Sequence, residues 1–139
     1  IIGNSYRFKV LRKEKIGDKL FLIVKDEFKG IHGIDLKIYH KYNLQSKSEI
    51  TACVIKFNSE HRFILEPEHP VYKINKSYPF QYQVINENND SVVLEITDCF
   101  KQRIELNISN SVFYKNNEHN SILLKISDIR KTIPLFDVQ

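Results

Sequence analysis

The chain of 139 residues contains no Trp, no Met, two Cys, four Gly and four Pro. Each shortage excludes something. Two cysteines, Cys53 and Cys99, cannot build the disulfide framework of a small secreted domain, and without CxxC pairs they offer no structural zinc site. They read as reduced thiols, so a cytoplasmic location is expected. Four glycines leave no Gly-rich loop to cradle a phosphate. No stretch approaches the roughly 18 consecutive apolar residues of a membrane helix, and no charged-then-apolar leader opens the sequence, so no membrane partner is expected. The absence of an initiator Met reads as an excised piece of a longer protein, or a processed one. No segment of ten or more residues keeps a 3.6-residue period, which argues against long helices.

What is present is an ordinary globular balance, with 42% apolar and 27% charged residues. Nine Phe and seven Tyr are many for this length. The net charge of +4 is unevenly spread. Residues 1–74 hold 14 Lys and Arg against 9 Asp and Glu, whereas residues 75–139 hold 7 against 8. All the excess positive charge therefore lies in the first half.

An internal repeat organises the sequence, and repeats are worth finding before anything else. Tyr6, Phe8 and Val10 match Tyr78, Phe80 and Tyr82 at an offset of 72. At the same offset Leu20, Leu22 and Val24 fall on Val92, Leu94 and Ile96, and Asp26-x-Phe28 falls on Asp98-x-Phe100. Ile50, Ala52 and Val54 fall on Ile122, Leu124 and Ile126. Apolar residues alternate at a period of two with many β-branched and aromatic types, so these segments read as strands. The expected strands are 6–15, 19–26, 31–38, 49–57 and 62–66, then 77–85, 91–98, 103–108, 121–128 and 132–138. Ile16-Gly17-Asp18 and Asn58-Ser59-Glu60 read as hairpin turns. Residues 39–47 have room for one helical turn. Pro67-Glu68-His69-Pro70 marks a boundary, since two prolines in four residues interrupt any ladder.

Five strands with a break between the third and fourth is the order of an OB-type barrel. At Asp26-Glu-Phe-Lys-Gly-Ile-His-Gly33 the chain resembles the S1/cold-shock branch of that superfamily. The pair Ile50-Thr-Ala-Cys-Val-Ile-Lys-Phe57 and Arg62-Phe-Ile-Leu65 also looks like the closing S1 hairpin. The resemblance covers most of residues 5–66 and, more loosely, 77–138. It implies an all-β chain of two tandem five-stranded OB-like (S1/cold-shock-like) β-barrels, residues 1–70 with a basic face and residues 71–139 nearly neutral.

Positions apolar in both copies should face a core: Tyr6, Phe8, Val10, Leu20, Leu22, Val24, Ile50, Ala52 and Val54 with their partners. Strand side chains alternate between faces. The positions between them, Arg7, Lys9, Lys19, Phe21, Ile23 and Lys25, should point outward. Their counterparts are Pro79, Gln81, Ser91, Val93, Glu95 and Thr97, a face without the positive charge. OB-type barrels bind single strands on the outer face of strands 2–3 and adjoining loops, with cations along phosphates and rings on bases. Arg7, Lys9, Lys19, Phe21 and Lys25 are the candidates on that face. Phe28 and His32 stand at its edge, and Tyr39 and Lys41 follow in the connector. The plain reading of the same residues is a solvated basic face, since lysines also block unwanted edge pairing.

Other chemistry weighs less. Asp26 and Asp98 end strands before turns, where Asp caps nearby backbone N–H groups. His61, Glu66, Glu68 and His69 would make a metal cluster only with a second half-site, and none is evident. Cys53 lies mid-strand with no orienting partner for nucleophilic work. The expectation is a non-enzymatic module of a larger protein that binds single-stranded RNA or DNA with low sequence specificity and uses no cofactor and no metal. The competing expectation is a protein-interaction or spacer module that touches other domains of the parent protein and binds no nucleic acid.

Overall fold

The structure is a computed structural model and describes residues 2–57 and 63–138. It is all-β with one short helix, and it divides into two compact units, Ile1–Pro70 and Val71–Gln139. The first unit holds β1 (Ser5–Ile16), β2 (Lys19–Lys25), β3 (Ile31–Asp35), β4 (Glu49–Phe57) and β5 (Phe63–Pro67). They form one antiparallel sheet in the order β3-β2-β1-β4-β5. The second unit holds β6 (Ser77–Glu87), β7 (Ser91–Thr97), β8 (Arg103–Ser109), helix α1 (Asn110–Asn116), the short β9 (Asn117–Glu118), β10 (Ser121–Arg130) and β11 (Ile133–Asp137). Its sheet runs β8-β7-β6-β10-β11, with β9 pairing β10. The two orders are the same once strands are matched at the 72-residue offset.

The ladders repeat residue by residue. Tyr6 opposes Ala52 and Phe8 opposes Ile50, as Tyr78 opposes Leu124 and Phe80 opposes Ile122. Val10 opposes Val24, as Tyr82 opposes Ile96. The bulge at Val54/Lys56 returns at Ile126/Asp128. The lead-in segments match too. The Gly3 N–H donates to the Val54 carbonyl and the Asn75 N–H to the Ile126 carbonyl, both at 2.7 Å. Gly3 and Asn75 both take positive φ, 89° and 69°. Only the bulge of the long first strand moves, from Val10/Arg12 in β1 to Val84/Asn86 in β6.

Alternation puts Phe8, Leu22, Val24, Ile50, Ala52 and Val54 in the first core, and Phe80, Val92, Leu94, Ile96, Ile122, Leu124 and Ile126 in the second. The side-chain period of two fixes this register, because a one-residue slip would turn each set outward. Tyr6 and Val10 are only half-buried. Leu20 is exposed, contrary to the alternation. The β1–β4 ladder stops at Lys9, so the far arm of the β1–β2 hairpin runs past the core. Gly17, at φ 65°, supplies the positive φ needed at its tight turn. Ile23 is buried rather than outward. It lies between the β1 bulge and Gly33 of β3, and bulges raise local twist and re-aim neighbouring side chains.

Neither sheet closes into a barrel: among the described residues no ladder joins β3 to β5 or β8 to β11. Side chains cross each gap instead. In the first unit the Phe63 N–H donates to His32 Nδ1 at 3.2 Å. In the second, Gln102 Nε2 donates to the Thr132 carbonyl at 3.3 Å and the Thr132 hydroxyl donates to Gln102 Oε1 at 3.1 Å. The connectors between the third and fourth strands differ. In the first unit two 3₁₀ turns, His40–Tyr42 and Leu44–Ser46, bury Tyr42 and Leu44. In the second, α1 is capped by the Ser109 hydroxyl, which accepts the Val112 N–H, and it buries Phe113. The turn expected at Asn58–Glu60 lies outside the described residues. Among the described residues no helix is long and apolar enough to cross a membrane.

Candidate functional site

The chemistry of the first unit gathers around the β2–β3 turn. Asp26 ends β2, and its Oδ1 accepts the Phe28 and Gly30 N–H groups at 2.8 Å each. Lys29 takes φ 68° to complete the turn. Asp98 builds the same turn in the second unit: its Oδ1 accepts the Phe100 and Gln102 N–H groups, with Lys101 at φ 62°. Both aspartates are structural, as their place before a turn indicates.

Their second oxygens find different partners. Asp26 Oδ2 meets His32 Nε2 at 2.7 Å, whereas Asp98 Oδ2 accepts from Gln102 Nε2 at 2.6 Å. His32 Nδ1 accepts from the Phe63 backbone, so the ring proton is assigned to Nε2, which donates to Asp26. The imidazole stacks on Phe63, centroids 4.3 Å apart and planes within 8°, and meets Phe8 edge-on at 6.0 Å. Burial pushes the Asp26 carboxyl up, but the His32 bond and the Gly30 and Phe28 N–H bonds outweigh it and hold it below its ordinary value. Gly30 leaves the room for this arrangement. A Cβ there would overlap Asp26 Oδ2 and come within 3.2 Å of His32 Nε2.

In front of this turn lies an apolar hollow of about 250 Å³, lined by Tyr6, Phe8, Asp26, Glu27, Phe28 and Phe63. Phe28 is 85% exposed, held out from the turn at its rim. The alternation pattern carried no signal of this hollow, because Tyr6 and Phe8 read simply as core positions.

On the outer side of β1 and β2, Lys9 directly opposes Lys25, and Arg7 follows on the same face of β1. Arg7, Lys9 and Lys25 form no ion pair among the described residues. Farther along, Phe21 rests on Gly33 and stands between Glu14 of β1 and Asp35 of β3. Arg12 is paired with Glu14 at 3.3 Å. Lys19 lies at the opposite end of the sheet, in a second hollow of about 480 Å³ lined with mixed charge, including Lys13, Asp18, Asp35, Lys37 and His40. Lys41 is exposed on the first 3₁₀ turn. His32 and Tyr39 are buried, at 4% and 5% exposure.

The structure thus brings Arg7, Lys9 and Lys25 together on one outward face, and leaves Phe21, Lys19 and Lys41 apart from them. Phe28 belongs to the aromatic hollow. His32 and Tyr39 are core residues: His32 fills the space between Phe8 and Phe63, and Tyr39 packs on Tyr42 with ring centroids 5.4 Å apart. Of the acidic and histidine cluster read from the sequence, Glu66 and His69 are buried, Glu68 is exposed, and His61 lies outside the described residues. No group of three or more His, Cys, Asp and Glu among the described residues could hold a metal ion. Compared with known family models, with curated proteins and with solved structures, the chain shows no match.

Proposed function

We propose that the chain is a binding module of two OB-like units, and that the first unit holds single-stranded RNA or DNA along its outer face with little sequence preference. The strand order β3-β2-β1-β4-β5 supports the OB-like part of this reading. An OB fold is a partly open five-stranded roll, and here the two end strands come within side-chain reach at His32 and Phe63.

One observation carries the nucleic-acid part. Lys9 and Lys25 sit directly opposite each other, and like charges so placed destabilise a sheet. Arg7 adds a third cation, and none of the three has a carboxylate partner among the described residues. The matching pair in the second unit is Gln81 and Thr97, which carries no such cost. A polyanion lying across β1 and β2 turns that cost into attraction.

The test is a fluorescence titration of a labelled oligonucleotide at two salt concentrations. Three phosphate contacts on a single strand give a log–log salt slope of about −2, or roughly 20-fold weaker binding at 200 mM than at 50 mM salt. Replacing Arg7, Lys9 and Lys25 by Gln should remove most of that slope, and replacing Lys125 and Lys131 of the second unit should not. No detectable binding at 50 mM salt would overturn the proposal.

A further inference from the structure

The far arm of the first hairpin is finished differently in the two units. Past Lys9 in β1, and past Gln81 in β6, the long strand has no neighbour but its hairpin partner. On the core side of that arm Lys13 stands opposite Leu22 in the first unit, whereas Val84 stands opposite Leu94 in the second. The second unit ties the start of α1 to the hairpin tip. The Asn110 N–H donates to the Asp90 carbonyl at 3.0 Å, and Asn110 Nδ2 donates to the Asn89 carbonyl at 2.8 Å. Val92 is buried there. Its counterpart Leu20 is 44% exposed in the first unit, where the connector forms two 3₁₀ turns instead of that helix. The hollow of about 480 Å³ lies here, between the hairpin arm and the connector after β3, with Leu20 and Leu36 as its apolar part. At the 72-residue offset its Lys19, Lys37 and His40 correspond to Ser91, Ser109 and Val112, so the charge belongs to the first unit alone.

We infer that this hollow is a binding site for a small sugar phosphate, its phosphate held by Lys13, Lys19 and Lys37 and its hydroxyls by Asp18 and Asp35. The volume falls in the range of roughly 300–1,000 Å³ usual for small-molecule sites. The three lysines come from β1, β2 and the connector, and none has an ion-pair partner among the described residues, although two carboxylates line the same space. Ammonium groups gathered without counter-ions suit a phosphate dianion, to which each donates a charge-assisted hydrogen bond. The carboxylates say what else the ligand carries. Asp35 Oδ1 accepts the Lys37 N–H at 2.9 Å, which fixes the group and leaves Oδ2 as an acceptor, and Asp18 has no partner among the described residues. A run of phosphates would set anions against both; one phosphate flanked by hydroxyls uses both signs of charge. His40 Nδ1 donates to the Lys37 carbonyl at 3.0 Å, so Nε2 is left for the ligand. The hollow opens on the core side of the hairpin arm, not on the side of Arg7, Lys9 and Lys25. The inference therefore goes beyond the proposed polyanion face and stands without it.

The test is a titration of the isotope-labelled chain with ribose 5-phosphate, followed by amide NMR. Saturable shifts are expected at the Asp18, Lys19 and Lys37 amides. Lys19→Gln and Lys37→Gln, changes at exposed positions that leave the core intact, should each weaken binding about tenfold through loss of one hydrogen bond between charged groups. Asp18→Ala should weaken ribose 5-phosphate several-fold and leave inorganic phosphate bound no less tightly, since it removes a hydroxyl acceptor and a repelling charge together. The chain with Arg7, Lys9 and Lys25 replaced by Gln should bind ribose 5-phosphate unchanged, whatever becomes of its oligonucleotide binding. No saturation at tens of millimolar ribose 5-phosphate, equal weakening of both ligands by Asp18→Ala, or loss of binding in the triple variant would each overturn the inference. So would a 5′-phosphorylated oligonucleotide that moves these amides where ribose 5-phosphate does not.

Discussion

Exchanging the two solutions found for the same turn gives a sharp energetic test. In the first unit Asp26 Oδ2 is satisfied by His32 and the adjacent position is Gly30; in the second Asp98 Oδ2 is satisfied by Gln102, and the counterpart of His32 is Ile104. His32→Ile alone strands Asp26 Oδ2 and the Phe63 N–H, at about 1–3 kcal/mol each for partly buried groups. It also removes a stacked ring, a further ~0.5–1.5 kcal/mol. Gly30→Gln alone forces a Cβ into Asp26 Oδ2 and crowds His32, an overpacking cost of about 1–3 kcal/mol. In the double variant the new amide takes over the role of Gln102 toward Asp26, and the crowding against the His32 ring disappears. Only the Phe63 N–H remains without its acceptor. The double should therefore cost about 2 kcal/mol less than the sum of the singles, within the usual range for residues in direct contact. Urea unfolding, with amide NMR assigning each transition to its unit, measures all four corners of the cycle. In a unit of this size that coupling corresponds to roughly 8–16 °C in melting midpoint. Additive costs, to within about 0.5 kcal/mol, would refute the exchange.

Two further outcomes follow from the same geometry. A carboxyl whose pKa is lower in the folded than in the unfolded chain stabilises fully above the unfolded value, and that contribution is lost as pH falls through the folded value. Asp26 is such a group, so the first unit should lose stability in acid from its ordinary value of 3.8 downward. Asp26→Asn should flatten that part of the profile while lowering stability at neutral pH, which a pH series of thermal melts will show. Replacing Lys9 and Lys25 by the Gln and Thr of the second unit should raise the stability of the first unit by about 0.2–1 kcal/mol at low salt, a gain that fades as salt screens the pair. The same change should weaken oligonucleotide binding, and a loss of stability with unchanged binding would remove the case for the lysine pair.

Much of the fold was legible because a period of two, written twice at one offset, leaves few registers open. Leu22 and Val24 fell inward together with Leu94 and Ile96, and Asp26 and Asp98 were readable as turn-formers from their place after a strand. What failed was whatever depends on where strands stop and bulge. Leu20 is exposed because β1 outruns β4, and Ile23 is buried beside a bulge that no alternation rule announces. Helix α1 spans only Asn110–Asn116, too short to establish a period. His32 and Tyr39 read as available aromatics, yet burial is decided by residues distant in sequence, Phe63 in one case and Tyr42 in the other. Tyr72 gave no signal, since its hydroxyl accepts the Cys99 N–H of a turn 27 residues later.

The matched ladders have a cost during folding. A chain whose halves share register can, before either half is complete, offer β1 the strand β10 in place of β4, and repeats of this kind are prone to misassembly. Backbone pairing alone would not reject the hybrid. The bridging groups would: such a chimaera sets His32 against Leu135 instead of the Phe63 ring, and denies Gln102 its Thr132. The parts on which the twins have diverged thus act as identity tags, letting each half recognise its own closing hairpin.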